Sequence, residues 1–422
     1  MKRDTMLAAL VLAAGWALTL WLFPFSDERV NDLFVYRLFT VPVLDGALPY
    51  REVFFEYPPL AAPAIALPGL FGSGEDAFRL AFAGWTLALA AAVVLLCGAL
   101  AARTGGDRRR ALLAAALMPL LCGALVRTHF DLAPVALLLG ALLLLIGGRP
   151  RWGMAVLGMA AMTKGFPIVV APVALAWLAP RTDRRTLLES AAALAAALAI
   201  PALVAVAFSP VGALNAVRYH TERPVQVESL PATAVNGLDS LGVGEARRLS
   251  SHRSDGLEHP ATEALAGASL LLLLVVLGGL TRNQYIAGKS RRTPGARGFV
   301  LAGLAAVLAF AALGKVLSPQ YMLWLVPLGA LAFAWRMHAL AAALGTAALL
   351  TQLEFPSRYV DLVDREAFPL ALVALRNLAL LVALGLALRA LQLGRQEHLF
   401  DRGGPPVRVP FDDHCVEPRV LG

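Results

Sequence analysis

The residues best suited to acid–base chemistry stand in a polar loop, residues 24–59, that follows the first apolar stretch. Asp32 lies four residues before Tyr36, so the two side chains share one face if this segment is helical. A carboxylate in such a place can accept a proton from a hydroxyl group and make that oxygen nucleophilic. Asp32 also follows Asn31 and precedes apolar residues, which suits a helix N-cap or a solvated loop acid. Both interpretations remain open.

The end of the same loop reads Glu56-Tyr57-Pro58-Pro59 and joins a carboxylate to two prolines. Proline fixes its own backbone and restricts the residue before it, so this segment can be a rigid turn into the next apolar stretch. Alternatively, Glu56 hydrogen-bonds the hydroxyl groups of a substrate.

Three polar residues, Arg127, His129 and Asp131, interrupt two further apolar stretches. They form either an ordinary short turn with a local ion pair or a contact for an anion or a sugar. The spacing around His129 is not that of a metal site, so we predict no bound metal.

Two lysines stand at the ends of apolar segments in a chain that has 33 arginines and only 4 lysines. A charge at such a depth is costly and points to function, and an ammonium group suits a phosphate. Lys164 lies in a nearly uncharged stretch, while Lys315 precedes Ser318-Pro319, a helix break that frees backbone amides. The alternative for both lysines is that they snorkel towards water.

The composition of the chain indicates the class of protein to which these residues belong. The 422 residues are 58% hydrophobic and 16% charged, and the mean hydropathy is +0.67. Soluble domains carry about 25% charged residues, so we predict an all-α, polytopic membrane protein. Anionic lipid explains the net charge of +8 better than nucleic acid does. The arginine, alanine and leucine excess indicates a high-GC coding bias and hence a bacterium.

Apolar runs predict a helical bundle of about twelve transmembrane helices with structured outer loops. The predicted segments are 6–23, 77–102, 111–127, 131–147, 152–164, 166–180, 186–208, 262–280, 298–314, 320–335, 337–353 and 368–393. The stretch 59–72 is shorter and broken by prolines, so we expect it to be re-entrant or interfacial.

The distribution of arginine predicts the orientation. Arginine-rich segments such as Arg103–Arg110 belong inside, which places both termini in the cytoplasm and the loops 24–59 and 209–260 outside. We therefore expect a membrane domain over residues 1–393, an active site facing outside, and a disordered cytoplasmic tail over 394–422. We assign no role to Arg247–His259, which has the composition of a solvated loop.

Several short motifs follow one another over roughly residues 30–330 in the order found in one enzyme family. They are Asp32-x-x-x-Tyr36, Gly46-x-x-Pro49-Tyr50, Tyr57-Pro58-Pro59-Leu60, Phe130-Asp131-Leu132, Lys164-x-x-Pro167, Arg223-Pro224-Val225-Gln226-Val227-Glu228-Ser229 and Lys315-Val316-Leu317-Ser318-Pro319-Gln320-Tyr321. With them the chain resembles the GT-C glycosyltransferases, and specifically the bacterial polyprenol-phosphate-mannose-dependent alpha-mannosyltransferases of glycosyltransferase family 87.

The resemblance implies a GT-C-like enzyme of the bacterial cell membrane. Such enzymes move a hexose, here expected to be mannose, from a polyprenyl-phosphate donor to a glycolipid, glycan or protein acceptor at the outer face, usually with inversion. It implies no cofactor beyond the lipid-linked donor, and it assigns the catalytic base to Asp32. The implied substrate-binding residues are Tyr36, Glu56, Arg127, His129, Asp131, Lys164, Glu228, Lys315 and Gln320. Of these, Lys164, Lys315 and Gln320 are expected to hold the donor phosphate, with Arg127 and His129 as second choices.

A transporter or flippase of a lipid-linked or anionic substrate is the alternative. Transporters favour internal repeats and charged residues near the middle of the membrane. In this sequence the polar residues gather at one predicted face and no repeat is evident, which favours the enzyme.

Overall fold

The computed structural model describes residues 2–289 and 295–400, the last seven as backbone only. The first half of the described chain contains α1 (Lys2–Trp21), α2 (Leu33–Leu44), α3 (Ala61–Ala66), α4 (Glu75–Arg103), α5 (Arg108–Ala116), α6 (Met118–Cys122), α7 (Leu125–Thr128), α8 (Leu132–Ile146), α9 (Pro150–Thr163), α10 (Ala171–Leu178) and α11 (Arg184–Phe208). The second half contains α12 (Pro210–Thr221), β1 (Val225–Gln226), α13 (Leu230–Ser240), β2 (Arg247–Ser251), β3 (Ser254–Glu258), α14 (Thr262–Lys289), α15 (Ala296–Leu313), α16 (Tyr321–Ala334), α17 (His338–Glu354), α18 (Tyr359–Val363) and α19 (Ala367–Phe400).

The predicted all-helical membrane architecture is confirmed. Every predicted apolar segment is helical, and within the described ranges six helices are long and apolar enough to cross a membrane: α1, α4, α11, α14, α15 and α19. The others are shorter, so the number of about twelve spans stays a prediction. The stretch 59–72, predicted to be re-entrant or interfacial, forms α3 and a 3₁₀ turn, Leu67–Phe71. Of the predicted tail, the backbone of α19 covers 394–400, and 401–422 lie outside the described residues.

The third apolar segment, 111–127, is broken into three short helices. Pro119 stands in the first turn of α6, where its missing N–H costs little. Gly123 ends α6 with φ +53°, and a Cβ there would lie 2.2 Å from Oε1 of Gln352. Because the segment is broken, α7 is a separate short helix, and residues 127–131 lead from it to the start of α8.

Contacts gather the arginine-rich segments at one end of the bundle and the polar loops at the other. At the first end, Arg108 donates to the Thr5 hydroxyl at 3.0 Å and Arg297 to the Gly105 carbonyl at 3.2 Å. The 18 residues of α15 separate that end from Lys315, which follows the helix at the loop end. At about 1.5 Å per residue this is close to 27 Å.

The loop end carries a three-stranded antiparallel sheet in the order β1-β3-β2. Its β2–β3 hairpin, which pairs Ser251 with Ser254, turns through His252 and Arg253 with φ of +52° and +48°. Two successive left-handed residues match the twist of a two-residue hairpin. The Arg247–His259 stretch is therefore folded, and its turn projects from the sheet.

A buried aromatic cluster holds the loop 24–59 against the bundle. Its members are Tyr36, Phe39, Phe55, Phe78, Phe82 and Phe130. Tyr36 stacks on Phe82 at 5.4 Å between ring centroids and meets Phe130 edge-on at 5.6 Å. These contacts fix α2 against α4 and the start of α8, and thereby fix the position of Asp32.

Candidate functional site

A cavity of about 890 Å³ lies at the loop end, between the polar loops and the ends of α14, α15 and α16. Its volume is that of a small-molecule site. Most of the predicted site residues line it: Asp32, Glu56, His129, Lys164, Glu228, Lys315 and Gln320.

The carboxylate of Asp32 is not used as a helix cap. Asp32 stands at the N-cap position of α2, yet its side chain accepts no capping hydrogen bond. Asn31 Oδ1 accepts the Leu33 N–H at 2.9 Å instead. The Tyr36 hydroxyl donates to Asp32 Oδ2 at 3.2 Å, and the Asp32 side chain is 34% exposed. A fixed but accessible carboxylate of this kind can accept a proton.

His129 lies beside Asp32 and is buried. Its Nε2 is 3.4 Å from Asp32 Oδ2, and its Nδ1 is 2.9 Å from the Thr128 hydroxyl oxygen. The predicted residues Asp32, Tyr36 and His129 therefore form one cluster at the cavity wall.

Lys164 and Asp131 form an ion pair. Lys164 Nζ lies 2.7 and 2.8 Å from the two carboxylate oxygens of Asp131, which is fully buried. The Trp324 indole N–H also donates to Asp131, at 2.6 Å, and Lys164 Nζ is 4.9 Å from the centre of the Phe130 ring. The positive charge of Lys164 is thus balanced within the protein.

Arg127 is not brought to the cavity. Its buried guanidinium binds Glu28 and the backbone carbonyls of Thr19 and Ser26. These contacts tie the end of α1 to α7, so its predicted contact with the substrate gains no support from its position.

Glu228 forms a buried brace within the cavity wall. Its carboxylate pairs with Arg376 at 2.9 Å and accepts from Gln226 Nε2 at 3.0 Å, and burial raises its pKa. Gln226 Oε1 in turn accepts the Leu317 N–H at 2.8 Å. The chain of bonds fixes the segment after Lys315, so Glu228 positions the wall.

Lys315 and Arg223 are cations without a carboxylate partner among the described residues. Lys315 Nζ donates to the carbonyls of Thr221 and Arg223, each at 2.8 Å, and burial lowers its pKa. The buried Nε of Arg223 has no hydrogen-bond partner in the described part of the chain, and its guanidinium lies 5.9 Å from the Tyr219 ring centre. Gln320 lies on the same wall just before α16. Two such cations attract an anionic ligand.

Glu56 is bridged to the hairpin turn across the cavity mouth. Arg253 Nη1 lies 3.4 Å from Glu56 Oε2, and the His220 ring contacts the Glu56 carbonyl at 2.7 Å. Burial raises the pKa of Glu56, and Arg253 opposes that rise. Both the hinge and the binding interpretation of Glu56 fit this position.

One wall of the cavity is apolar and reaches the outer surface of the bundle. It consists of Ala266, Gly267, Leu270 and Leu273 of α14 with Phe310 and Leu313 of α15. Leu270 lines the cavity and is still 54% exposed. Since α14 is long and apolar enough to cross a membrane, its exposed flank is suited to contact with lipid.

The sequence matches the model of Glycosyltransferase family 87 over residues 54–310, more than half of the chain. The chain belongs to glycosyltransferase family 87. This confirms the predicted family and makes the protein a membrane glycosyltransferase. Of the curated proteins, none matches the sequence. The matched range contains His129, Lys164 and Arg223 and leaves Asp32 and Lys315 outside.

The residues that line the cavity of this family 87 glycosyltransferase but were not predicted as site residues include Arg223, Arg253 and Trp324. Arg223 opens a quoted motif, but in a chain with 33 arginines its type carries no signal. Arg253 lies at the cavity because the β2–β3 hairpin turns there. Trp324 hydrogen-bonds Asp131, which is 193 positions away in the sequence, so the sequence alone does not bring the two residues together.

The described residues contain no group of three or more His, Cys, Asp or Glu side chains that could hold a metal ion. That this family 87 glycosyltransferase works without a metal stays a prediction.

Proposed function

We propose that the protein transfers a hexose, mannose in the first instance, from a polyprenyl-phosphate donor to an acceptor hydroxyl at the outer face of the membrane. The observation that carries the proposal is the composition of the cavity wall. A carboxylate at Asp32, an apolar wall, and the cations Lys315 and Arg223, which have no carboxylate within ion-pair distance among the described residues, meet around one space. A polyprenyl-phosphate sugar matches these parts: its phosphate suits the cations, its polyprenyl chain suits the apolar wall, and its sugar lies near the carboxylate.

Asp32 serves as the base in this proposal. The carboxylate removes the proton from the acceptor hydroxyl as its oxygen bonds to the anomeric carbon. The bond between that carbon and the phosphate oxygen breaks, and the phosphate leaves with the electron pair. Attack on the face opposite to the leaving phosphate inverts the configuration.

The donor phosphate is placed against Lys315 and Arg223, with Gln320 beside them. The leaving phosphate gains negative charge, and fixed cations stabilise it. Lys164 was predicted to share this role, but Asp131 already balances its charge, so its contribution to binding the anion is smaller. Since the phosphate is itself the leaving group, the reaction needs no further cofactor.

The acceptor enters from the mouth of the cavity, beside Glu56 and Arg253. The carboxylate and guanidinium of this pair suit the hydroxyl groups of a glycan, a glycolipid headgroup or a glycosylated protein. The chemistry of this rim does not favour one of these acceptors over the others.

Asp32→Asn tests the base. We expect transfer from polyprenyl-phosphate-mannose to fall about 10²- to 10⁴-fold, since the amide cannot accept the proton. The measurement is product mass with purified protein in lipid nanodiscs. Asp45→Asn, an exposed acid of the same loop, is the matched control and keeps full activity. Full transfer by Asp32→Asn would move the base to another residue, and movement of intact donor across the bilayer without product would favour a flippase.

Arg223→Ala and Lys315→Ala test the phosphate site. Each should weaken donor use by roughly 10- to 100-fold, because a charge-assisted hydrogen bond is worth about 1.5–3 kcal/mol. The donor dependence of the initial rate measures this, at constant acceptor. Arg218→Ala, at an exposed position on α12, is the control. An unchanged donor dependence in both variants contradicts the assignment.

A further inference from the structure

The hydrogen bonds around His129 favour one position for the proton of its ring. The Thr128 hydroxyl lies 2.9 Å from the Ala124 carbonyl and 2.9 Å from His129 Nδ1. When the hydroxyl donates to the carbonyl, its oxygen accepts from Nδ1. In that arrangement Nδ1 holds the proton of the neutral ring, and Nε2 keeps its lone pair.

His129 Nε2 lies beside the carboxylate of Asp32. His129 Nε2 and Asp32 Oδ2 are 3.4 Å apart, and both are hydrogen-bond acceptors when the ring is neutral and the carboxylate is ionised. The Tyr36 hydroxyl supplies one donor to Oδ2, at 3.2 Å. A single added proton would turn the contact between Nε2 and Oδ2 into a hydrogen bond.

The other charged groups near His129 and Asp32 largely balance one another. The ionisable side chains that face it are Tyr36, Tyr57, Glu56, Asp131 and Lys164. Lys164 and Asp131 neutralise each other, and Arg253 offsets Glu56. Burial lowers the pKa of His129, which keeps the resting ring neutral. With its proton on Nδ1, the neutral ring presents Nε2 as a proton acceptor.

We propose that His129 and Asp32 act as one base, in which His129 Nε2 shares the proton that the Asp32 carboxylate removes from the acceptor hydroxyl. This inference rests on the proposed function and assigns His129 a role in proton uptake, beyond the substrate contact expected from the sequence. The acceptor oxygen bonds to the anomeric carbon, the phosphate leaves with its electron pair, and the proton ends between Oδ2 and Nε2. The bound proton then has two acceptors, Asp32 Oδ2 and His129 Nε2.

His129→Gln tests the shared base, with the pH dependence of kcat as the measurement. The glutamine amide can donate a hydrogen bond to Asp32 but cannot take up a proton. We expect the maximal rate to fall about tenfold or more and the acidic limb of the profile to move to lower pH, because a carboxylate held by a fixed donor binds its proton more weakly. A lower rate with the acidic limb unmoved, or an unchanged rate, overturns the proposal.

Thr128→Val provides a second variant in case His129→Gln does not fold. Valine keeps the shape of threonine and removes the hydroxyl that contacts Nδ1, so the ring proton is held less firmly there. The hydrogen bond between His129 and the Leu125 backbone remains. We expect a smaller rate loss with the acidic limb displaced from its wild-type position. An unmoved limb also overturns the proposal. Wild-type protein that transfers no sugar from the polyprenyl donor would instead refute the proposed function, so the two failures are distinguishable.

Discussion

Lys164 and Lys315 are the same residue type in the same kind of sequence position, but their partners differ. Lys164 Nζ contacts both oxygens of the buried Asp131, whereas Lys315 Nζ contacts backbone carbonyls. A buried ion pair is chiefly a constraint on the fold, and a cation with no carboxylate within ion-pair distance is available to a ligand. The sequence suggested one role for both lysines because the partner of Lys164 lies 33 positions away.

Lys164→Met therefore is expected to affect stability as well as activity. Removing one partner leaves Asp131 buried and unpaired, which costs about 3–5 kcal/mol. Thermal unfolding in detergent at neutral pH measures the loss. The double variant Asp131→Asn with Lys164→Met should recover most of it.

Lys289→Met, at the exposed end of α14, is the matched control and should unfold like the wild type. A Lys164→Met variant with wild-type thermal stability and a selective loss of donor binding would contradict the structural role and return Lys164 to the phosphate site.

At the scale of elements, the helices could be predicted because long apolar runs in a membrane protein have few alternatives. The breaks within them were harder to predict. The segment 111–127 has apolar composition throughout, yet Pro119 and Gly123 divide it into α5, α6 and α7. That division places His129 at the cavity.

The β2–β3 hairpin could not be predicted from its own residues. A half-buried strand normally alternates apolar and polar residues, but nearly all of β2 is exposed and polar. Its turn lacks the usual Asn-Gly pair and uses His252 and Arg253 in the left-handed region. The pairing with β1 and the contact with Glu56 depend on residues far away in the sequence, so the placement of Arg253 required the folded chain.

At the scale of the whole molecule, the positions of charge and cavity define two unlike ends. Arg108 and Arg297 mark one end, and the cavity with Lys315 marks the other. The arginine distribution predicts that the first end faces the cytoplasm. Which end faces outside can be tested without any assay of activity.

Cysteine labelling in intact cells tests the orientation. Glu245→Cys, in the loop 209–260, should react with a membrane-impermeant maleimide, whereas Arg109→Cys should react only after the cells are permeabilised. Both native positions are well exposed, with side chains 72% and 62% accessible. Cys415→Ser serves as the background, since Cys97 and Cys122 are buried. Labelling of Arg109→Cys in intact cells would reverse the predicted topology.

The exposed flank of Leu270 has a kinetic consequence for the proposed reaction. A donor that enters past α14 diffuses in two dimensions and never has to leave the bilayer. Its effective concentration is then a mole fraction of lipid rather than a molarity. Diluting the donor with inert phospholipid at constant bulk concentration should slow the reaction, whereas diluting the whole vesicle suspension should leave the turnover rate unchanged.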